Sequence, residues 1–88
     1  MNAHNRRTLL AIYASVTPTG LRWRDIESLF KALGAHVREG KGSRVRVTSS
    51  DVRATFHRPH PRPTVGRLTL RDVRDFLNCA GVTVDDAE

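Results

Sequence analysis

The 88 residues have room for one domain with one modest hydrophobic core, so a second domain is excluded. With 39% hydrophobic residues and only scattered glycine and proline, the chain falls outside the collagen-like and fully disordered classes. The formal net charge of +6 in so small a chain favours a polyanionic partner.

Two helices are predicted at the start of the chain from apolar residues spaced at i, i+3, i+4 and i+7. The first is an N-terminal helix over residues 5–17, and the second ends at Gly34, where a helix-terminating glycine is expected. Because Trp23 and Phe30 lie on or beside the second helix, we expect them in the core rather than stacked on bases. The two apolar stripes are Leu9/Ile12/Tyr13/Val16 and Ile26/Leu29/Phe30/Leu33.

Three strands follow, because the apolar periodicity changes from helical to alternating. Turn residues at 40–43 and 49–51 separate the strands and predict an antiparallel meander. Two hairpin registers keep the apolar side chains on one face. One places His57 opposite Arg44, whereas the other is shifted by two residues and places Thr55 there. The inward sets are Ala35/Val37, Val45/Val47 and Ala54/Phe56.

A proline-rich loop and a third helix complete the predicted order. Three prolines between His57 and Pro63 forbid further ladder hydrogen bonds and stiffen the segment. Thr69 and Asp72 resemble a capping box for the third helix. Cys79 lies within this helix, where we expect a small core residue rather than a nucleophile. The apolar stripe of the helix is Val73/Phe76/Leu77/Ala80, and Gly81 ends it.

This order predicts an α+β fold: a three-stranded antiparallel sheet with helices on one face and an extra N-terminal helix. Alternation sends the polar strand residues to the other, open face, and that set is almost entirely cationic. Neighbouring arginines repel one another and do not stabilise a sheet, so the pattern predicts an anion-binding surface. The open-face residues are His36, Arg38, Arg44, Arg46, Thr48, Arg53, Thr55 and His57.

The positive charge is concentrated between His36 and Arg74, where ten basic residues stand against three acidic ones. Most are arginines, whose planar guanidinium suits bidentate phosphate contacts and stacking on bases. A merely solvated surface is the alternative. The residues predicted to bind RNA are Arg38, Lys41, Arg46, Arg53, Arg58, Arg62 and Arg67.

From Trp23 to Val82 the chain resembles the HicA toxins of bacterial toxin–antitoxin pairs, whose fold is similar to a double-stranded-RNA-binding domain, α-β-β-β-α. The resemblance implies a ribosome-independent endoribonuclease that cleaves messenger RNA and is neutralised by HicB. It divides the single domain, 1–88, into the extra helix 5–17, a HicA-like core 23–82 and an acidic tail 83–88. The matching features are a helix ending in Leu33-Gly34-Ala35, Gly42-Ser43 opening a strand, a strand running into His60-Pro61, Leu70-Arg71-Asp72-Val73 opening a helix, and Ala80-Gly81-Val82 ending it.

Family members usually carry a catalytic histidine directly after the Gly-Ser pair, and Arg44 occupies that position here. The resemblance therefore implies either a lost activity or a histidine elsewhere. His57, with His60 second, is the candidate, since histidine serves as acid or base near neutrality while Arg44 steadies the charge on phosphate. The alternative is that His57 is an exposed strand residue and His60 a residue that packs in the loop.

The expected partners are single-stranded messenger RNA and an acidic, HicB-like antitoxin, with no cofactor. A zinc site is not expected, because the chain has one cysteine and its histidines lie in different elements. A non-catalytic RNA-binding module and an inactive toxin relic remain alternatives. A DNA-binding regulator fits less well, since no helix offers an exposed polar surface for reading a groove.

The predicted location is the cytoplasm. No apolar run reaches membrane-spanning length, and the first residues lead into an amphipathic stretch without the hydrophobic segment of a signal peptide.

Overall fold

A computed structural model, which describes residues 1–16 and 18–87, confirms the predicted α+β fold and its order of helices and strands. No helix in those ranges is long and apolar enough to cross a membrane. The elements are α1 (Ala3–Ile12), α2 (Trp23–Ala32), β1 (His36–Glu39), β2 (Arg44–Ser49), β3 (Val52–His57), α3 (Arg67–Cys79) and a 3₁₀ turn (Val84–Ala87).

The sheet is an antiparallel meander in the order β1-β2-β3. Val47 pairs with Ala54, and Arg44 pairs with His57, so the first of the two predicted registers is the one that forms. This register keeps Val45 and Phe56 on the inner face, where both are buried. The polar strand residues consequently lie on the opposite face.

The core lies between the inner face of the sheet and the helices. Trp23 and Phe30 are both buried, as predicted from their helix. They form an aromatic cluster with Phe56 and Phe76, in which ring centroids lie between 5.5 and 6.3 Å apart. Rings at such separations and in edge or offset arrangements stabilise a core beyond their buried area.

The N-terminal helix α1 begins and ends earlier than the predicted range of 5–17. It begins at Ala3 because Asn2 caps it, the Asn2 Oδ1 accepting a hydrogen bond of 2.8 Å from the Asn5 backbone N–H. It ends at Ile12, and Val16, which was predicted to continue the apolar stripe, is 78% exposed. Thr17, the last residue of the predicted range, lies outside the described residues.

Two predictions about helix α3 are wrong. The helix begins at Arg67 after the extended Gly66, so Thr69 is inside the first turn and cannot cap it. Cys79, the last helical residue, is exposed instead of buried. The reason is its position away from the stripe of Val73, Phe76 and Leu77, which are the residues facing the core.

Residues 83–87 of the predicted acidic tail return to the body of the protein. They include the 3₁₀ turn, whose Ala87 is buried. The Arg6 guanidinium of α1 donates a hydrogen bond of 2.7 Å to the Ala87 carbonyl oxygen. Glu88 lies outside the described residues.

The proline-rich loop between β3 and α3 is held at its far end by residues at and just before the start of α2. The Trp23 backbone N–H donates to the Pro63 carbonyl at 3.0 Å, and the Val65 N–H donates to the Leu21 carbonyl at 2.9 Å. These hydrogen bonds replace the ladder that the prolines cannot continue. The loop therefore has two fixed ends, one at β3 and one beside α2.

Candidate functional site

The open face of the sheet carries all eight polar residues that alternation assigned to it, and it is called the basic face here. Every member except the half-buried Thr48 is exposed. Across the strands the residues form three rows: His36–Thr48–Arg53, Arg38–Arg46–Thr55 and Arg44–His57. The helices cover the other face of the sheet, so the basic face consists of four arginines, two histidines and two threonines.

Arg44 and His57 are direct cross-strand neighbours. The Arg58 backbone N–H donates to the Ser43 carbonyl at 2.8 Å, which makes Ser43 and Arg58 a hydrogen-bonded pair. The adjoining pair of Arg44 and His57 is then of the non-hydrogen-bonded kind, with Cα atoms about 4.5 Å apart and side chains close on one face. A cation and an imidazole are therefore neighbours at this end of the basic face.

The arginines of the basic face have no protein partners among the residues that the structure describes. None of them makes a side-chain hydrogen bond or an ion pair there, whereas the guanidinium of Arg74 donates to the Ile12 carbonyl at 2.8 Å and to the Ala14 carbonyl at 3.2 Å. Each guanidinium offers five N–H donors. Because like charges side by side repel, an anion bound across them would be stabilised.

An open concavity of about 630 Å³ lies on the part of the basic face away from Arg44 and His57. Strand alternation predicts that His36 lies on this face, but no sequence motif predicts a function for it. The polar residues that line the concavity are His36, Arg38, Arg46, Thr48, Arg53 and Thr55.

Arg58 lies elsewhere, because alternation after Phe56 turns it to the inner side of the sheet. Its guanidinium donates hydrogen bonds of 3.0 and 3.1 Å to Glu27 Oε1 and lies 2.7 Å from Glu39 Oε1. The Trp23 indole N–H also donates to Glu27 Oε1, at 2.6 Å. The hydrogen bonds to Glu39 and Glu27 raise the pKa of Arg58 above its ordinary value. Arg58, which the sequence predicts to bind RNA, is thus paired with two carboxylates of the chain and does not lie on the basic face.

The remaining predicted residues are distributed around the basic face. Lys41 is exposed in the turn before β2, and the Arg44 backbone N–H donates to its carbonyl at 3.2 Å, so it adjoins the end with Arg44 and His57. His60 and Arg62 are exposed in the proline-rich loop, between its two fixed ends. Arg67 begins α3 in the helix layer and lines a separate depression of about 200 Å³.

The histidines do not form a metal-binding group. Within residues 1–16 and 18–87, no three His, Cys, Asp or Glu side chains come together in a way that would hold an ion. His4, on α1, lies 2.9 Å from the Asp25 carboxylate instead.

The fold and this site define a small α+β protein whose sheet is covered by helices on one face and presents an open cationic surface on the other. The model of the family described as HicA toxin of bacterial toxin–antitoxin matches residues 23–82. The chain belongs to the HicA toxin family, and so to the toxins of toxin–antitoxin systems, as its resemblance indicated. No curated protein and no solved structure matches the chain.

Proposed function

We propose that this toxin is a cytoplasmic endoribonuclease that cuts single-stranded messenger RNA on its basic face without a metal ion. The observation that carries the proposal is the pairing of the exposed His57 with Arg44 on a face whose other arginines have no described protein partner. Such a surface combines an imidazole, which can accept or donate a proton, with cations that attract phosphate.

In the proposed reaction, one histidine removes the proton from a ribose 2′-hydroxyl, and the 2′-oxygen attacks the adjacent phosphorus. The bond from phosphorus to the 5′-oxygen breaks, and that oxygen takes a proton from the general acid. The products are a 2′,3′-cyclic phosphate and a 5′-hydroxyl, so no redox partner or metal is needed. His57 is the first candidate for proton transfer and His60 the second, while Arg44 stabilises the charge that develops on the phosphate.

The other arginines of the basic face would bind the RNA strand as it leads away from the cut. Arg38, Arg46 and Arg53 contact backbone phosphates, and guanidinium planes also stack on unpaired bases, which favours a single-stranded substrate. Lys41 and Arg62 extend the cationic surface at its margins. A HicB-like antitoxin of acidic character would cover the same face and exclude the substrate.

A non-catalytic RNA-binding module is the second candidate function. Arg44 favours it, because it stands where the family resemblance places the usual catalytic histidine. Such a module would use the same arginines for phosphates and keep His57 only as a hydrogen-bond donor.

Incubation of the purified chain with unstructured RNA in a chelator distinguishes the two functions. We expect cut fragments that end in a cyclic phosphate, together with a much slower reaction for a His57→Ala variant prepared in parallel. RNA binding without any cut product in the wild-type chain would establish the binding module instead. Absence of both binding and cleavage would overturn the proposal.

A further inference from the structure

The two histidines of the basic face stand at opposite corners of the sheet. His36 is in the outer row of β1, and His57 is at the end of β3, so two strand spacings and four residues of strand length separate them. Strand spacings of about 5 Å and a rise of about 3.4 Å per residue put the two positions roughly 17 Å apart. A proton transfer requires hydrogen-bond reach, about 3 Å. Because strand side chains stand roughly perpendicular to the sheet, the two imidazoles stay far apart, and His36 is not expected to act on the phosphodiester that His57 reaches.

The residues around His36 form a separate cationic surface that can bind an anion. Its row continues through Thr48 to Arg53, and the concavity also receives Arg38 and Arg46 from the next row. These groups supply an imidazole, a hydroxyl and three guanidiniums. No carboxylate is among the residues that line the concavity. A tetrahedral phosphate accepts hydrogen bonds from all of these donors, and charged donors make the strongest ones.

We infer that the concavity around His36 is a second phosphate subsite, which holds a backbone phosphate of the RNA strand at a distance from the phosphate that is cut. The inference rests on the proposed function, since it takes RNA as the ligand and His57 as the marker of the cut. His36 is a binding residue in this account and not a catalytic one. The strand runs diagonally across the basic face, from the end with Arg44 and His57 to the concavity.

The residues of the subsite also determine which property of the RNA it recognises. Phosphate contacts fix the position of a strand and carry no sequence information. The subsite has no Phe, Tyr or Trp side chain on which a base would stack. It therefore selects the length of the single strand rather than its sequence, and RNA too short to reach from His57 to His36 loses this contact.

The test compares binding of a series of unstructured RNA oligomers of increasing length, 2′-O-methylated so that they cannot be cut. Lengthening the RNA should strengthen binding to the wild-type chain in a step once the strand reaches the concavity. In the His36→Gln variant the ratio of long-RNA to short-RNA affinity should fall about tenfold, the loss expected for one charge-assisted contact. Arg53→Gln, in the same row, should reduce the ratio as well. His4→Gln is the matched control, because His4 lies on α1 and pairs with Asp25.

The cleavage of unmodified RNA separates the possible outcomes. A step at one length that His36→Gln removes and His4→Gln keeps supports the subsite. An unchanged ratio in His36→Gln, in a chain that binds and cuts RNA, overturns the subsite and leaves the proposed function standing. Equal loss of cleavage on the shortest and longest substrates would make His36 catalytic and also overturn the inference. If the wild-type chain neither binds nor cuts any RNA, the proposed function itself fails.

Discussion

Arginines in this protein have two different roles, and a single step of strand alternation separates them. Arg53 points to the open face and has no protein partner among the described residues. Arg58, beyond the end of the same strand, has turned to the inner side and joins Glu27 to Glu39. One arginine is thus available to a ligand, whereas the other joins α2, β1 and the end of β3.

This difference predicts opposite effects of two alanine substitutions. Arg53→Ala should lower the slope of log affinity for RNA against log salt by about one phosphate contact and leave unfolding unchanged. Arg58→Ala should keep the slope and lower the free energy of unfolding by about 1 kcal/mol, since its partner Glu27 is mostly buried. Salt titrations and urea unfolding of both variants measure this. A lower salt slope in Arg58→Ala would show that Arg58 does contact RNA.

His57 is the residue on which the catalytic proposal depends. His57→Ala should abolish toxicity and RNA cleavage yet keep most of the RNA affinity and the fold, because an exposed side chain at a strand end contributes little to the core. His60→Ala should show the same loss in weaker form. Growth arrest on expression and single-turnover cleavage are the measurements.

A relocated histidine provides the stricter form of this test. Since Arg44 and His57 are cross-strand neighbours, Arg44→His in the His57→Ala background should restore part of the cleavage. Full toxicity of a variant that lacks both His57 and His60 would contradict the assignment of either residue to proton transfer.

At the scale of the elements, periodicity predicted the parts of the fold that depend on local sequence. The alternation around Val45 and Val47 is enough to define the two faces of the sheet, and hence the basic face. It left two registers open, because both satisfy alternation. In the register that forms, Ser49 pairs with Val52, so the two-residue turn consists of Ser50 and Asp51, and Ser50 has a positive φ of 54°.

Features that depend on distant parts of the chain did not follow from the sequence. The contacts of Arg58 need α2 and β1 to come within reach, and alternation alone gives no distance between elements. The concavity around His36 likewise exists only once three strands lie side by side. The end of α1 was misplaced because the apolar spacing continued to Val16, although the helix stops at Ile12.

Helix α1 lies outside the residues matched by the family model, yet it is part of the core. Leu9 and Ile12 are fully buried, and Tyr13, directly after the helix, donates a hydrogen bond of 2.8 Å to the Val82 carbonyl. The helix therefore covers apolar surface that the matched region would otherwise expose. Its contribution is to stability, since none of its residues lies on the basic face.

The contact of Tyr13 with Val82 predicts how stability changes at alkaline pH. Burial raises the pKa of Tyr13 above its ordinary value, and Asp86 raises it further. The unfolded chain therefore loses this proton first, so the stabilising contribution is fully present below about pH 10 and is lost as the pH rises above it.

Tyr13→Phe should therefore lower the free energy of unfolding by about 1 kcal/mol at neutral pH, the usual effect of one lost hydrogen bond. The difference between the variant and the wild-type chain should shrink above about pH 10. Urea unfolding of both proteins across this range checks the prediction. A difference that stays constant with pH would show that the ionisation of Tyr13 does not contribute to stability.

For the whole molecule, several charged groups of the helix layer are paired, whereas those of the basic face are not paired within the described residues. Arginines in the helix layer, such as Arg6 and Arg74, donate to backbone carbonyls at 2.7–2.8 Å, and the described acidic side chains that form ion pairs belong to α2 and to the inner side of β1. The four arginines of the basic face keep their charge unpaired within the described residues, so this face is a strongly positive surface of a chain with net charge +6. Under the proposed function both RNA and an acidic antitoxin bind this face, so they would compete for it.

This competition is the prediction for the whole molecule. An acidic, HicB-like antitoxin should raise the apparent Kd for non-cleavable RNA in proportion to its own concentration, because both ligands need the same arginines. Arg46→Ala should weaken both complexes, whereas Arg24→Ala, an exposed change on α2, should weaken neither. Titration of a labelled RNA complex with antitoxin measures the competition. Association of the antitoxin should also slow as the salt concentration rises, since the field of the basic face steers the encounter. A ternary complex in which each ligand binds with unchanged affinity would show that the antitoxin acts from another surface and does not occlude the basic face.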